Sequence, residues 1–193
     1  MQKLSVADLM KLEDYAGERP AFRKRVLEHK KNRKLHIGAH LTLLFEDRLT
    51  IQYQVQEMLR IERIFERAAI EEELGAYNPL IPDGGNWKAT CLIEYEDPVE
   101  RAQHLAKLKG IEDLIWAQVG EGPRISAIAD EDMDRANETK TSAVHFLRFE
   151  LDAASLKAAR AGSKLRFGVN HPAYNETIEV SEPVRSALIA DLA

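Results

Sequence analysis

The sequence predicts an α+β protein of one domain, in which a mixed or mainly antiparallel sheet is packed by one long central helix with shorter peripheral helices. Residues 47–74 contain no Gly or Pro, and their apolar residues recur at helical spacing, which predicts the long helix. The β-rich segments that follow are joined by links too short for parallel crossovers, which favours antiparallel pairing. The length of 193 residues suits a single domain.

The whole chain, 1–193, is assigned to that domain, with a helical N-terminal segment (1–34) and a body of sheet plus long helix (35–193). Ser5 followed by Asp8 is typical of a capping box that opens a short first helix. The sequence shows no internal repeat and no low-complexity segment, which agrees with a single structural unit.

A strongly basic second helix is predicted over 21–34, after Gly17 and Pro20 interrupt the first. Its basic residues are Arg23, Lys24, Arg25, Lys30, Lys31, Arg33 and Lys34. Two interpretations remain open for this charge. It forms a solvated face that balances an acidic protein, or it binds phosphate or another anionic partner.

Residues 35–46 alternate between apolar side chains and polar or small ones, which predicts a single strand with one face in the core. His36 and His40 fall on the other face. Positions four apart on a strand are separated by roughly 13 Å. The two imidazoles therefore cannot share one metal ion unless Gly38 marks a bulge or sharp bend.

The long helix, about 47–74, can be capped by Asp47 or Thr50 and is followed by Gly75. Its apolar arc is interrupted by Glu62. Burying a carboxylate alone costs several kcal/mol, in order of magnitude, so Glu62 should find a histidine or arginine partner. We therefore expect Glu62 to be a functional or a structurally essential polar group.

Three further polar residues are candidates near this helix. Glu57 and Arg60 are three apart and can form an ion pair. Asn78 lies in the turn-rich segment 77–87, which also carries apolar anchors. Such an ordered loop is either a functional loop or a packed crossover.

The remainder of the chain alternates strands with short helices. The predicted strands are 88–95, 114–119, 123–129, 142–151, 165–169 and 177–180. The predicted helices are 97–110, 152–161 and a last one that opens at 182–183. Residues 130–140 are predicted to be a loop or a short helix.

Composition and absent motifs limit the function. A formal net charge of −5 argues against a dedicated nucleic-acid binder. Cys91 is the only cysteine, so an intrachain disulfide and a thiolate metal cluster are excluded, and we expect a reducing cytoplasm. No apolar run is long enough to span a membrane, and the first residues do not resemble a signal peptide. The di-iron, zinc-protease, serine-hydrolase and phosphate-loop motifs are all missing.

Three runs carry a family resemblance: KNRKLHIGAHLTLLFEDRLTIQYQVQEMLRIERI, ELGAYNPLIP and SAVHFLRFEL. They resemble a bacterial family of uncharacterised proteins, a domain of unknown function. Genes of that family often lie near those for rubrerythrin-type and iron–sulfur oxidoreductase proteins. The resemblance implies a redox or oxidative-stress setting and supplies no catalytic residues.

The leading hypothesis is a cytoplasmic protein with a polar pocket between the long helix and the strand 35–46, binding a divalent metal or a small anionic ligand in support of a redox system. Its candidate ligand-binding residues are Glu57, Arg60, Glu62 and Asn78. Its candidate metal ligands are His36, His40, Glu62 and His145.

The first alternative is a non-catalytic module that docks on an iron–sulfur or di-iron redox partner through helix 21–34 or acidic faces. The second is phosphate or nucleic-acid binding through that same helix. Whether the protein is an enzyme stays open, and a homodimer is compatible with the sequence.

Overall fold

Two antiparallel sheets and six α-helices form the parts of the chain that the computed structural model describes, residues 2–131 and 140–192. The helices are α1 (Leu12–Lys30), α2 (Arg48–Glu62), α3 (Arg67–Tyr77), α4 (Pro98–Lys107), α5 (Ala153–Arg160) and α6 (Glu182–Ala190). The strands are β1 (Lys34–Ile37), β2 (Leu41–Phe45), β3 (Asn86–Ile93), β4 (Ile115–Val119), β5 (Arg124–Ser126), β6 (Ile128–Ala129), β7 (Val144–Glu150), β8 (Leu165–His171) and β9 (Tyr174–Glu179).

The strand order is β1-β2-β3-β7-β6 in the first sheet and β5-β4-β8-β9 in the second. Strand pairing within the described ranges is antiparallel throughout. The predicted α+β class with a mainly antiparallel sheet is therefore confirmed. Most of the predicted interval 130–140 falls on residues 132–139, which lie outside the described part.

The main core lies between the inner faces of the two sheets and the C-terminal helix. Phe45, Trp87 and Phe149 from the first sheet meet Phe167 from the second, with ring centroids 5.2 to 5.8 Å apart. Such edge-on and tilted ring contacts add to the burial of large apolar side chains. The Trp87 indole N–H donates to the carbonyl of Leu188 at 2.9 Å, which ties α6 to this core.

The N-terminal prediction is wrong in one respect: the chain forms one long α1 instead of two helices. The helix runs through Gly17 and Pro20. Proline removes one helical N–H, which normally disfavours a helix interior. Burial of Tyr15, Phe22 and Val26 against Leu49 and Tyr53 of α2 stabilises the continuous helix.

The predicted single strand over 35–46 is a hairpin, because the chain turns at Gly38. That glycine has a φ of 68°, in the left-handed region that glycine adopts without strain. Tyr174 fixes the turn: its hydroxyl donates to the carbonyl of Ile37 at 2.6 Å and accepts from the N–H of His40 at 3.0 Å.

The predicted long helix over 47–74 is divided into α2 and α3. Arg63 adopts a left-handed φ of 57°, and the N–H of Ile64 donates to the carbonyl of Leu59 at 2.9 Å. This is the six-to-one bond of a helix-ending Schellman turn, closed by the packing of Ile64 on the cluster that contains Leu59. At the start of α2, the predicted Asp47 cap is confirmed, since its side chain accepts from the N–H of Thr50.

Candidate functional site

A cleft of about 540 Å³ lies between the α2–α3 pair and the outer face of the first sheet. We call it the helix–sheet cleft. Its helical side is formed by Gln54, Met58, Glu73, Ala76, Tyr77, Pro79 and Leu80, and its sheet side by Lys88, Phe146, Leu147 and Arg148, with Glu131 beside them. The cleft is in the volume range of small-molecule sites.

Two cations share the sheet side of this cleft. Lys88 on β3 and Arg148 on β7 are direct cross-strand partners, so their side chains emerge on the same face. Arg148 is already neutralised: its Nε and Nη2 donate to the two carboxylate oxygens of Glu131 at 2.8 Å, and its Nη1 donates to Glu150. This bidentate contact with Arg148 lowers the pKa of Glu131.

The ammonium group of Lys88 is in a different position. It donates to a neutral acceptor, the main-chain carbonyl of Pro79. Burial lowers the pKa of Lys88, and the charge of Arg148 acts in the same direction. The carboxylates of Asp83, Glu131 and Glu150 oppose both effects. An ammonium has three N–H donors, and the bond to Pro79 uses one of them.

The walls around Lys88 are mainly apolar. Met58 and Leu80 face the cleft from the helical side and Phe146 from the sheet. Glu73 also lines it, and burial, followed by the charges of Glu62 and Glu72, raises the pKa of its carboxyl. The arrangement suits a ligand with an apolar body and one anionic group directed at Lys88.

Glu62 does not belong to this cleft, and the prediction that it faces inward is wrong. It is the last residue of α2 and is exposed to solvent. The buried stripe of α2 is formed by Ile51, Val55 and Leu59, whereas Phe65, just beyond the helix, is 68% exposed. Because α2 ends at Glu62, the predicted apolar face does not continue past that residue.

Glu57 and Arg60 lie on the α1 side of α2, outside the cleft. Their predicted ion pair is present at 3.5 Å. The dominant partner of Glu57 is Arg19, whose Nε and Nη2 donate to its two oxygens at 2.7 Å each. The buried Tyr15 adds a hydroxyl donor at 2.6 Å. This network joins α1 to α2.

Asn78 binds the N-terminal segment. Its amide oxygen accepts from the N–H of Leu4 and its amide nitrogen donates to the carbonyl of Leu4, both at 2.8 Å. These two bonds account for the side chain, and they hold the segment before α1 against the turn that follows α3.

His36 and His40 lie at the β1–β2 hairpin and have separate partners. The Nδ1 of His36 is 3.0 Å from Thr42 Oγ1, and Thr42 donates to Glu94 at 2.6 Å. The ring of His40 stacks on Tyr95 with centroids 4.0 Å apart, and Tyr95 stacks on His104 at 4.3 Å. The sequence did not reveal this three-ring stack, because His104 comes from α4, about 60 residues beyond His40 in the sequence.

His145 is fully buried on the inner face of β7, the face opposite to Phe146 in the cleft. Its Nδ1 is 2.5 Å from Asp130, and its Nε2 is 2.9 Å from Thr141. Asp130 holds a left-handed φ of 47° and accepts from the N–H of Phe146, so the cluster fixes a strained turn beside β7.

The candidate metal ligands therefore occupy three separate places. Within residues 2–131 and 140–192, no three His, Cys, Asp or Glu side chains are grouped in a way that could hold a metal ion. In the same ranges, no helix has both the length and the apolar character needed to cross a membrane.

The fold and the cleft define a class: a single-domain α+β protein with a partly apolar helix–sheet cleft. The chain belongs to the family described as "Protein of unknown function (DUF3501)", whose model matches residues 3–192. This confirms the resemblance to an uncharacterised family.

A solved structure is similar to this chain over the full length. It is a crystal structure described as a novel protein of unknown function from Burkholderia pseudomallei K96243. It is 47% identical to this chain, both chains are covered completely, and the TM-score is 0.94. No curated protein matches the chain.

Proposed function

We propose that this protein binds a small anionic ligand with an apolar body in the helix–sheet cleft. The observation that carries the proposal is the position of Lys88, a partly buried lysine that lines a cleft of about 540 Å³ together with Met58, Leu80 and Phe146. The anionic group of the ligand would accept from the ammonium group of Lys88, and its apolar body would contact Met58, Leu80 and Phe146.

The hydrogen bonds of the two cations support an anion at Lys88. Arg148 is compensated by Glu131 and Glu150, whereas the acceptor that Lys88 binds is a neutral carbonyl. A charge-assisted hydrogen bond in a partly buried site contributes about 1.5–3 kcal/mol. Replacing Lys88 should therefore weaken binding roughly 10- to 100-fold.

An anion is a better candidate for this site than a metal ion. The metal alternative needs several converging His, Cys, Asp or Glu donors. In the cleft, both carboxylate oxygens of Glu131 accept from Arg148. We further propose, on the family resemblance alone, that ligand binding serves a redox or oxidative-stress system.

The test uses octanoate as the anionic probe and octanol as its uncharged match. Displacement of 8-anilinonaphthalene-1-sulfonate fluorescence and titration calorimetry measure binding to the full chain. We expect octanoate to bind more tightly than octanol, and Lys88→Met to remove that difference while Lys164→Met keeps it. Lys164 is a suitable control because it is exposed and paired with Glu179. Equal binding of both probes, or none, would contradict the proposal.

A docking role is favoured by a separate observation on α1. Arg23, Lys24 and Arg25 are exposed, whereas Arg33 of the predicted basic group is buried and bonded to Asp191 at 2.7 and 2.8 Å. The three exposed cations would contact an acidic surface of a redox partner. A pull-down assay with an iron–sulfur or di-iron protein tests this role. Binding that is lost when these three charges are reversed would support the role, and binding that the reversal leaves unchanged would contradict it.

A further inference from the structure

We propose that this protein forms a symmetric dimer through an apolar groove beside the turn between α2 and α3. We call it the N-terminal groove, and its volume is about 500 Å³. Its lining residues differ from those of the helix–sheet cleft, so the proposal does not depend on the proposed function. The apolar side chains that line it include Leu9, Met10, Leu12, Ile64, Phe65 and Ile70.

An exposed aromatic ring lies at this groove. Phe65 is 68% exposed, and Ile61 on the last turn of α2 is 61% exposed. Single exposed apolar side chains are ordinary, but large ones beside an apolar recess mark an interaction surface. The turn before Phe65 is fixed by the left-handed Arg63 and by the bond from the Ile64 N–H to the Leu59 carbonyl. The ring is therefore presented by a defined turn of the backbone.

A protruding ring beside a recess is the arrangement that a two-fold interface requires. Both copies use the same patch in such an interface, so each patch must offer what the other receives. Phe65 of each copy would enter the groove of the other. Aromatic residues and methionine are enriched at the centres of protein interfaces, and the groove contains Met10 as well as Phe65.

The charges around the groove favour a second copy of the chain as its occupant. Nearby ion pairs join Arg48 to Asp8 and Arg67 to Glu71. Four other charged residues line the groove or flank its apolar residues, and within residues 2–131 and 140–192 they have no ion-pair partner: Lys11, Glu13, Arg63 and Glu66. Two are positive and two are negative, so a second copy offers an opposite charge for each. An excess of one sign would make the patch repel its own copy.

Two other occupants fit this charge balance less well. The cytoplasmic surface of a membrane is anionic and attracts protein surfaces that are rich in Lys and Arg. A strongly acidic or basic protein partner likewise requires an excess of the opposite charge. The four unpaired charges of the N-terminal groove provide neither excess.

Sedimentation velocity of the full chain over a range of concentrations tests the proposal. We expect a monomer–dimer equilibrium in the wild type. Phe65→Ser should raise the dissociation constant about 100-fold or more, because each dimer loses two rings and each ring contributes roughly tenfold or more. Val99→Ser is the matched control: Val99 is 66% exposed on α4 and does not line the groove, so its replacement should leave the equilibrium unchanged.

An exchange of charges tests the two-fold pairing separately from the ring. Reversal of both cations, Lys11→Glu with Arg63→Glu, leaves only anions in this set, and reversal of both anions, Glu13→Lys with Glu66→Lys, leaves only cations. We expect each double variant to be monomeric and an equimolar mixture of the two to recover the dimer as a heterodimer. All four side chains are exposed, so the variants should keep the fold, which circular dichroism checks.

Three outcomes would overturn the proposal. A wild-type chain that stays monomeric at every concentration would exclude the dimer, and flotation with phosphatidylserine vesicles would then test a membrane as the occupant. A dimer that survives Phe65→Ser would place the interface elsewhere. A mixture of the two charge variants that stays monomeric, although the wild type dimerises, would contradict the pairing of the patch with its own copy.

Discussion

Replacing Glu57 with Gln removes a carboxylate that holds α1 and α2 together. Hydrogen bonds from Arg19 are the main cause that lowers the pKa of Glu57 from 4.5 to about 2. At about 1.4 kcal/mol per unit, this shift corresponds to an upper limit of about 3 kcal/mol. Arg19 is 34% exposed, so solvent screening reduces the expected loss of stability at pH 7 to about 1–2 kcal/mol.

The sign of the pH dependence follows from the direction of the shift. The folded-state pKa of Glu57 lies below its unfolded value, so the carboxylate stabilises the fold above about pH 4.5. That contribution is lost as the pH falls to about 2. The difference in unfolding free energy between wild type and Glu57→Gln should therefore shrink across this window.

Urea denaturation followed by circular dichroism, repeated from neutral pH down through that window, measures the difference. The amide of the variant still accepts from the Tyr15 hydroxyl, so the substitution mainly removes the charge. Glu71→Gln is the control, because Glu71 pairs with Arg67 on an exposed helix face and should cost less than about 0.5 kcal/mol. A Glu57→Gln cost that is independent of pH would refute the reasoning.

Three other substitutions test the fold, each by urea or thermal unfolding. Arg33→Met leaves the buried Asp191 without its guanidinium partner and should lower the free energy of unfolding by about 3–5 kcal/mol. The double variant that also carries Asp191→Leu should recover part of this loss, and equal losses in the single and double variants would contradict the reasoning. Gly168→Ala places a methyl group 2.7 Å from Cε2 of the Trp116 ring and should lower the free energy of unfolding by about 1–3 kcal/mol or more. An unchanged stability would show that the sheet or the ring shifts to accommodate the methyl group. Arg63→Gly relieves the left-handed backbone at the end of α2 and should stabilise by about 0.5 kcal/mol, and a destabilised variant would argue against that turn.

Local signals in the sequence predicted most of the secondary structure. The strands β4, β7 and β8 and the helices α5 and α6 lie where periodicity and turn residues indicated, and β9 begins three residues earlier than predicted. The strand predicted over 123–129 is divided into β5 and β6, which belong to different sheets. The Asp97 cap of α4 is present, with its side chain accepting from the N–H groups of Val99 and Glu100. These features depend on residues that are close in the sequence, so the local sequence is sufficient to predict them.

The division of the long helix could not be predicted, because the residue that ends α2 is of a type that rarely ends a helix. Helices commonly end at a left-handed glycine. Here Arg63 takes that conformation, and the turn is held by the packing of Ile64 on the hydrophobic cluster of α2 and α3. The prediction for Glu62 failed with it, since an unbroken helix was used to assign its buried face.

The position of the helix–sheet cleft was not predicted. Its sheet side comes from β3 and β7 instead of the His36–His40 segment, and none of the candidate site residues lines it. Lys88 and Arg148 are 60 residues apart in the sequence, and only the strand register brings them together. Long-range pairing of this kind leaves no local pattern that a single sequence can reveal.

A crystal structure of the chain soaked with octanoate tests the central claim most directly. We predict the carboxylate within hydrogen-bonding distance of Lys88 Nζ, and the alkyl chain between Met58 and Phe146. An octanoate molecule bound elsewhere on the protein, with the helix–sheet cleft holding only solvent, would contradict the account.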